Sequence, residues 1–196
     1  EAGVKQALAA ISLFDGEISH LQVKDCVYRF NRDTRFSADK SPYKNHFGAY
    51  MCAKGKKALR GGYYLHVEQG QCLLAVGYWL PTNILTSCRN EIMGNIDTWR
   101  ERVENKAFVD LFGKPNESKW GQGERGFGLD SLKSCPSGFP RDYEFIQYLR
   151  MKDYCAWVKV PDNFFQGNGW IDEMTRIFKV GKPMMDFMNS VIDDYE

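Results

Sequence analysis

No apolar run in this chain approaches the roughly 20 residues that a spanning helix requires, so no membrane segment is expected. The six cysteines, at positions 26, 52, 72, 88, 135 and 155, include no C-x-x-C pair, and no histidine stands at metal-ligand spacing. Neither a metal site nor a cofactor is therefore expected. Cys52, Cys72 and Cys88 lie in apolar segments, where cysteine behaves as a small buried hydrophobe. A chain of 196 residues, 43% of them hydrophobic, can bury a core without covalent staples. Reduced thiols in a cytoplasmic protein are thus expected over a disulfide framework. The chain begins at Glu1 and not at Met, which raises the expectation of an upstream segment, a cleaved signal included.

Net charge is also nearly lacking, at +1, but the balance is uneven. Residues 29–60 carry nine Lys or Arg against two Asp, a local excess of +7. A protein that grips nucleic acid along its length is basic throughout or carries a basic stripe, so this distribution argues for a local cationic patch. Nucleic acid stays an alternative partner that the overall charge does not support.

The densest part of that patch is residues 29–44, which hold three arginines, two lysines, two aspartates, two serines and a tyrosine. The segment has neither helical nor strand periodicity, yet Phe30, Phe36, Pro42 and Tyr43 are spaced through it and can pin it to a core. A pinned polar loop is a common place for binding groups. Arginine offers a planar fork to an oxyanion, lysine a point charge, and serine or tyrosine a neutral donor. Arg32, Arg35, Lys40 and Lys44 are the candidate anion ligands, with Tyr43 as donor or stacking surface and Asp33 and Asp39 orienting the arginines. The competing reading is a structural network in which these charges pair with one another.

Around this loop the pattern is mixed. Val4, Leu8, Ile11 and Phe14 recur at helical spacing, whereas residues 17–28 show a weak alternation that suggests a short strand. Residues 47–53, 62–68 and 72–79 read as strands, the last two joined by a short hairpin at Gly70. The four cations between residues 54 and 61 read as a solvated hairpin tip. In the second strand Tyr63, Leu65 and Val67 point one way and Tyr64, His66 and Glu68 the other. The first set reads as core. The second is a candidate acid/base surface, with Tyr64 and His66 as catalytic candidates, although a half-exposed sheet also shows a polar face. Amphipathic helices follow from Pro81 to Leu111, then a long connection over 113–140 with room for a short strand. A short helix near 142–150, a strand at 153–160 and two helices, 170–180 and 184–195, complete the pattern.

Two formal motif matches fail on physical grounds. Gly121-Gln122-Gly123-Glu124-Arg125-Gly126 fits G-x-G-x-x-G but lacks the preceding buried strand and the following helix N-terminus that would meet a pyrophosphate. Ser37-Ala38-Asp39-Lys40 fits S-x-x-K, but its partner motifs are missing and Pro42 disfavours the helical turn it needs.

Arg35-Phe36-Ser37-Ala38-Asp39-Lys40-Ser41-Pro42-Tyr43-Lys44, with Gly62-Tyr63-Tyr64-Leu65-His66 and Gly77-Tyr78-Trp79-Leu80-Pro81 after it, resembles a widespread family of conserved uncharacterised proteins, a domain of unknown function. The resemblance extends through the C-terminal helices. It marks Arg35, Asp39, Lys40, Tyr43 and Lys44 as part of a family signature and implies no established activity. The family usually opens with a helical segment bearing a Trp-Phe motif, which this chain lacks, so the resemblance implies a missing N-terminal part.

The sequence thus predicts one α+β domain over residues 1–196, an antiparallel sheet with helices packed mainly on one face. Three functions stay open: binding of a phosphate-bearing or other anionic small molecule by loop 29–44, an enzyme using Tyr64 or His66 beside that loop, and a scaffold with no small-molecule site. Oligomeric state and pathway are not encoded in any of these patterns.

Overall fold

The structure, a computed structural model, describes residues 1–29, 31, 43–78, 81–120 and 122–194. In chain order the helices and strands are α1 (Ala2–Ser12), α2 (Val23–Cys26), β1 (Phe47–Met51), β2 (Gly62–Val67), β3 (Leu73–Tyr78), α3 (Thr82–Gly94), α4 (Ile96–Val103), α5 (Lys106–Phe112), β4 (Arg125–Phe127), α6 (Ile146–Arg150), β5 (Tyr154–Lys159) and α7 (Trp170–Asp193). The five strands form one antiparallel sheet in the order β1-β2-β3-β5-β4. The fold is α+β, as the sequence predicts.

Strand alternation splits the sheet into two unlike faces. Ala49, Met51, Tyr63, Leu65, Leu74, Val76, Tyr154 and Ala156 enter one large core with the helices. Trp99 sits within it, ringed by Phe127, Tyr148, Tyr154 and Phe187 at centroid distances of 5.3–6.2 Å. The opposite face carries a small separate cluster of Leu73, Ala75 and Trp157 with Tyr64, Leu129 and Cys155 against it. The helices pack on the first face, which leaves the second free for a site.

The long α7 is the main prop of the first face. Its stripe of Met174, Ile177, Phe178, Gly181, Met184, Met185 and Met188 is buried and lies against β3. A Cβ at Gly181 would stand 2.0 Å from Val76 Cγ1, so glycine is what lets helix and sheet approach this closely. The sequence pattern divides this helix at Gly181-Lys182-Pro183; the structure runs straight through, with Pro183 inside. Proline removes one intrahelical donor and costs helix stability, but the continuous buried stripe outweighs that loss. The Arg102 guanidinium also donates to the Pro183 carbonyl at 3.1 Å.

Residues 17–28 depart from the strand expectation. Gly16–Ile18 is a 3-10 helix and Val23–Cys26 is α2, with only an isolated bridge from Val27 to Ala49. Local hydrogen bonds decide this. The Asp15 carboxylate accepts from the Glu17 amide at 3.2 Å, and Gln22 and Asp25 form a reciprocal capping box at α2.

The cations between β1 and β2 also depart from the solvated reading. Lys56 Nζ donates to the carbonyls of Lys24 and Val27 at 2.7 and 2.8 Å, tying the hairpin to α2. Arg60, 6% exposed, pairs with Glu17 at 2.6 Å and with Asp193 near the end of α7. Lys54 lies 3.5 Å from the same Asp193. Lys57 is exposed, in line with a solvated hairpin tip.

Candidate functional site

On the helix-free face the strand register places side chains in rows: Gly48, His66 and Leu73; then Tyr50, Tyr64, Ala75, Trp157 and Gly126; then Gly62, Gly77 and Cys155. The third row is nearly bare. Gly77 has φ +124, and a Cβ there would stand 2.1 Å from the Tyr154 carbonyl oxygen, so only glycine fits. A Cβ at Gly62 would meet Tyr50 Cζ at 2.9 Å. The Tyr50 ring therefore lies down beside this row, its hydroxyl 2.7 Å from the Arg60 carbonyl oxygen and 3.1 Å from that of Gly77.

The bare row floors a cleft of about 710 Å³. Tyr28, Lys44, His46, Tyr64 and Trp120 contribute to its walls. Trp120 is held edge-on to Trp157 at 5.6 Å. The Lys44 ammonium stands 5.9 Å from the centre of the Tyr28 ring, a cation–π arrangement that keeps the charge at the rim. Cys155 also faces the cleft. Burial, reinforced by the Asp153 carboxylate, pushes its thiol pKa up, so it is a wall and not a thiolate nucleophile.

Along one edge of this face runs a chain of hydrogen bonds. Tyr64 Oη lies 2.9 Å from His66 Nδ1, and His66 Nε2 lies 2.9 Å from Glu68 Oε2. The Asn45 amide donates to Glu68 Oε1, and Asn45 Oδ1 is 3.1 Å from His46 Nδ1. The His46 and His66 rings stack with centroids 4.8 Å apart and planes at 23°. Gly48 makes the first link: a Cβ there would sit 2.8 Å from Tyr64 Oη. His66 is 9% exposed, so its hydrogen bonds are largely shielded from water.

Burial, with smaller contributions from Tyr28 and Glu68, pushes the Tyr64 phenol up to about 12. A free phenolate at neutral pH is thus disfavoured. With Nε2–H donated to the Glu68 carboxylate, His66 Nδ1 is the acceptor for the Tyr64 proton. The unit is a phenol backed by an imidazole and a carboxylate, a geometry suited to proton transfer at the phenol oxygen. Burial also lowers the His46 pKa, helped by His66.

The structure brings Tyr64, His66 and Lys44 of the sequence candidates to this one region. Tyr43 is 60% exposed and bridges to Asn31. Arg32, Asp33, Arg35, Asp39 and Lys40 lie outside the described residues. Sequence reasoning passed over His46, because its proximity to His66 and Glu68 comes from strand register and not from spacing along the chain. It also passed over Tyr28 and Trp120, which no local pattern links to β2. The G-x-G-x-x-G stretch leads into strand β4, with Gly126 under the Trp157 indole and no helix start, so the rejection of a pyrophosphate loop holds.

Among the described residues, no helix is long and apolar enough to cross a membrane. No curated protein and no solved structure matches the chain. A family model does, over residues 1–187, and its description is "Conserved hypothetical protein (DUF2461)". The chain belongs to that conserved family.

Proposed function

We propose that this domain binds a phosphate-bearing, ring-containing small molecule in the cleft on the helix-free face of the sheet. The observation that carries the reading is that Lys44, from the end of the cationic segment, and Tyr64, from β2, line the same cleft. Its volume of about 710 Å³ lies in the range of small-molecule sites, roughly 300–1,000 Å³. Tyr28 and Trp120 supply apolar faces for a ring, Lys44 a charge for the anion, and Tyr64 a hydroxyl. Arg32, Arg35, Asp39, Lys40 and Tyr43 are proposed, on sequence grounds, to complete the anion contacts.

The test is a thermal-shift screen against inorganic phosphate, nucleotides, sugar phosphates and short oligonucleotides, with Lys44→Ala and Tyr64→Phe alongside. A ligand at about 100 times its dissociation constant adds roughly 2.7 kcal/mol. A shift from a mononucleotide or sugar phosphate that shrinks in both variants supports the cleft. A response confined to oligonucleotides, steep in salt, favours a nucleic-acid partner instead.

A second reading is supported by the 2.9 Å links from Tyr64 to His66 and from His66 to Glu68. In it the bound ligand loses a proton to Tyr64 while Tyr64 passes its own to His66, and Glu68 stabilises the resulting imidazolium. This reading requires that His66→Ala retain ligand affinity and lose turnover. Equal loss of both would reduce His66 to a structural part of the cleft.

A further inference from the structure

His46, His66 and Glu68 each present one ligand-type atom, and these atoms lie within 4.8 Å of one another. Their meeting follows from the sheet. His66 and Glu68 alternate onto one face at i and i+2, and the β1–β2 register, Phe47 opposite Val67, carried one residue outward sets position 46 against position 68.

Each of the three is already held by its other polar atom. His46 Nδ1–H donates to Asn45 Oδ1 at 3.1 Å, His66 Nδ1 is fixed on Tyr64 Oη at 2.9 Å, and Glu68 Oε1 accepts from the Asn45 amide. These contacts leave His46 Nε2, together with His66 Nε2 and Glu68 Oε2, which hydrogen-bond each other at 2.9 Å, as the three ligand atoms an ion would take, the His66 Nε2 proton being lost as it binds. Outer hydrogen bonds of this kind fix the tautomer and ring orientation of metal-binding histidines.

We propose that His46, His66 and Glu68 bind one divalent transition-metal ion, in a site whose remaining coordination position is open. Two imidazoles and one carboxylate favour zinc, cobalt or nickel over magnesium or calcium. Bonds of about 2.1 Å in tetrahedral geometry place ligand atoms about 3.4 Å apart. His66 Nε2 and Glu68 Oε2 are already at 2.9 Å, so the half-exposed His46 supplies most of the closure. The Lys44 charge, which acts on His46, opposes the ion and moderates its affinity. Three protein ligands with a fourth position vacant is the arrangement of reactive and not of structural zinc sites.

Metal binding would also switch the His66 tautomer, with the ring in place, and so would exclude the proton relay from Tyr64 to His66. With Nε2 on the ion, Nδ1 carries the proton and donates to the Tyr64 oxygen, which releases the Tyr64 hydroxyl hydrogen toward the cleft. The site stands without any assumption about the cleft ligand.

The test is titration of the untagged chain with Co²⁺, followed by visible absorption, for wild type, His46→Ala, Glu68→Gln and Asn45→Ala. All four chains are checked for unchanged melting without metal. Expected are one bound ion per chain, a nitrogen and oxygen ligand spectrum with no thiolate charge-transfer band, and displacement by Zn²⁺. Asn45→Ala should lose about 10–100-fold in affinity, and the two ligand variants more. Absence of stoichiometric binding, a thiolate band, or a folded His46→Ala or Glu68→Gln chain with wild-type affinity would each overturn the assignment.

Discussion

The Tyr64 hydroxyl reaches His66 Nδ1 at 2.9 Å because the residue beneath it on the neighbouring strand, Gly48, has no side chain. Both residues project from the same face of β2, two positions apart, and neither could hold the other without that gap. Backbone sterics on one strand thereby determine side-chain chemistry on the next.

Gly48→Ala tests this dependence. The new Cβ would meet Tyr64 Oη at 2.8 Å, and the far end of a tyrosine can swing aside. The expected stability loss is modest, about 1 kcal/mol, or roughly 2–4 °C in melting temperature. The Tyr64–His66 bond should nevertheless be lost. Imidazole ¹⁵N shifts of His66 read this directly, and an unchanged Nδ1 signal would refute it.

Gly181→Ala tests the contact between α7 and β3. Alanine is the better helix former by about 1 kcal/mol. Its Cβ, however, would stand 2.0 Å from Val76 Cγ1, and forced overpacking typically costs about 1–3 kcal/mol. Net destabilisation in urea is expected, with partial recovery in the Gly181→Ala, Val76→Ala double variant. Additive losses would mean that the two residues do not press on each other.

Asp153 sets a pH dependence. Its carboxylate is 1% exposed and accepts from the amides of Leu129, Asp130 and Cys155 at 3.0–3.2 Å. Burial outweighs those amides and raises its pKa from the usual 3.8 to about 6. The folded state therefore binds a proton that the unfolded chain releases between those values. The protonated form's advantage is fully present below about 4 and is lost as pH rises to about 6. Relative to Asp153→Asn, which does not titrate, wild-type stability should fall across that window and stay level above it. A difference that rises with pH would show that the amides win over burial.

Much of this architecture can be read from local pattern. Alternation in β2 assigns Tyr63 and Leu65 to the core and Tyr64 and His66 to the other face, because a buried strand face tolerates no slip of one residue; Val67, read with the core, is exposed at the strand end. The helix through Pro183 was not legible, since its continuity depends on Val76 and on the Arg102 contact, both distant in sequence. Residues 17–28 mislead for the opposite reason: an apolar alternation is present, but capping by Asp15, Gln22 and Asp25 wins locally. At the cleft, Lys44 is legible as part of a cationic run. Tyr28, His46 and Trp120 are not, because only strand register and tertiary packing bring them beside β2. The low floor likewise depends on Gly62 and Gly77 lying across from each other, which their positions in sequence do not announce.

The proposed contact between an anionic ligand and Lys44 in the cleft can be read at a single side chain. Its most direct test is calorimetric titration of the best phosphate-bearing ligand into wild type, Lys44→Ala and Lys57→Ala at fixed salt. Lys57 is exposed and is not among the cleft residues, so it controls for loss of charge alone. At least about a tenfold loss is expected for Lys44→Ala, the scale of one charge-assisted hydrogen bond, and no change for Lys57→Ala. Equal affinities in all three chains, or equal losses in both variants, would contradict it.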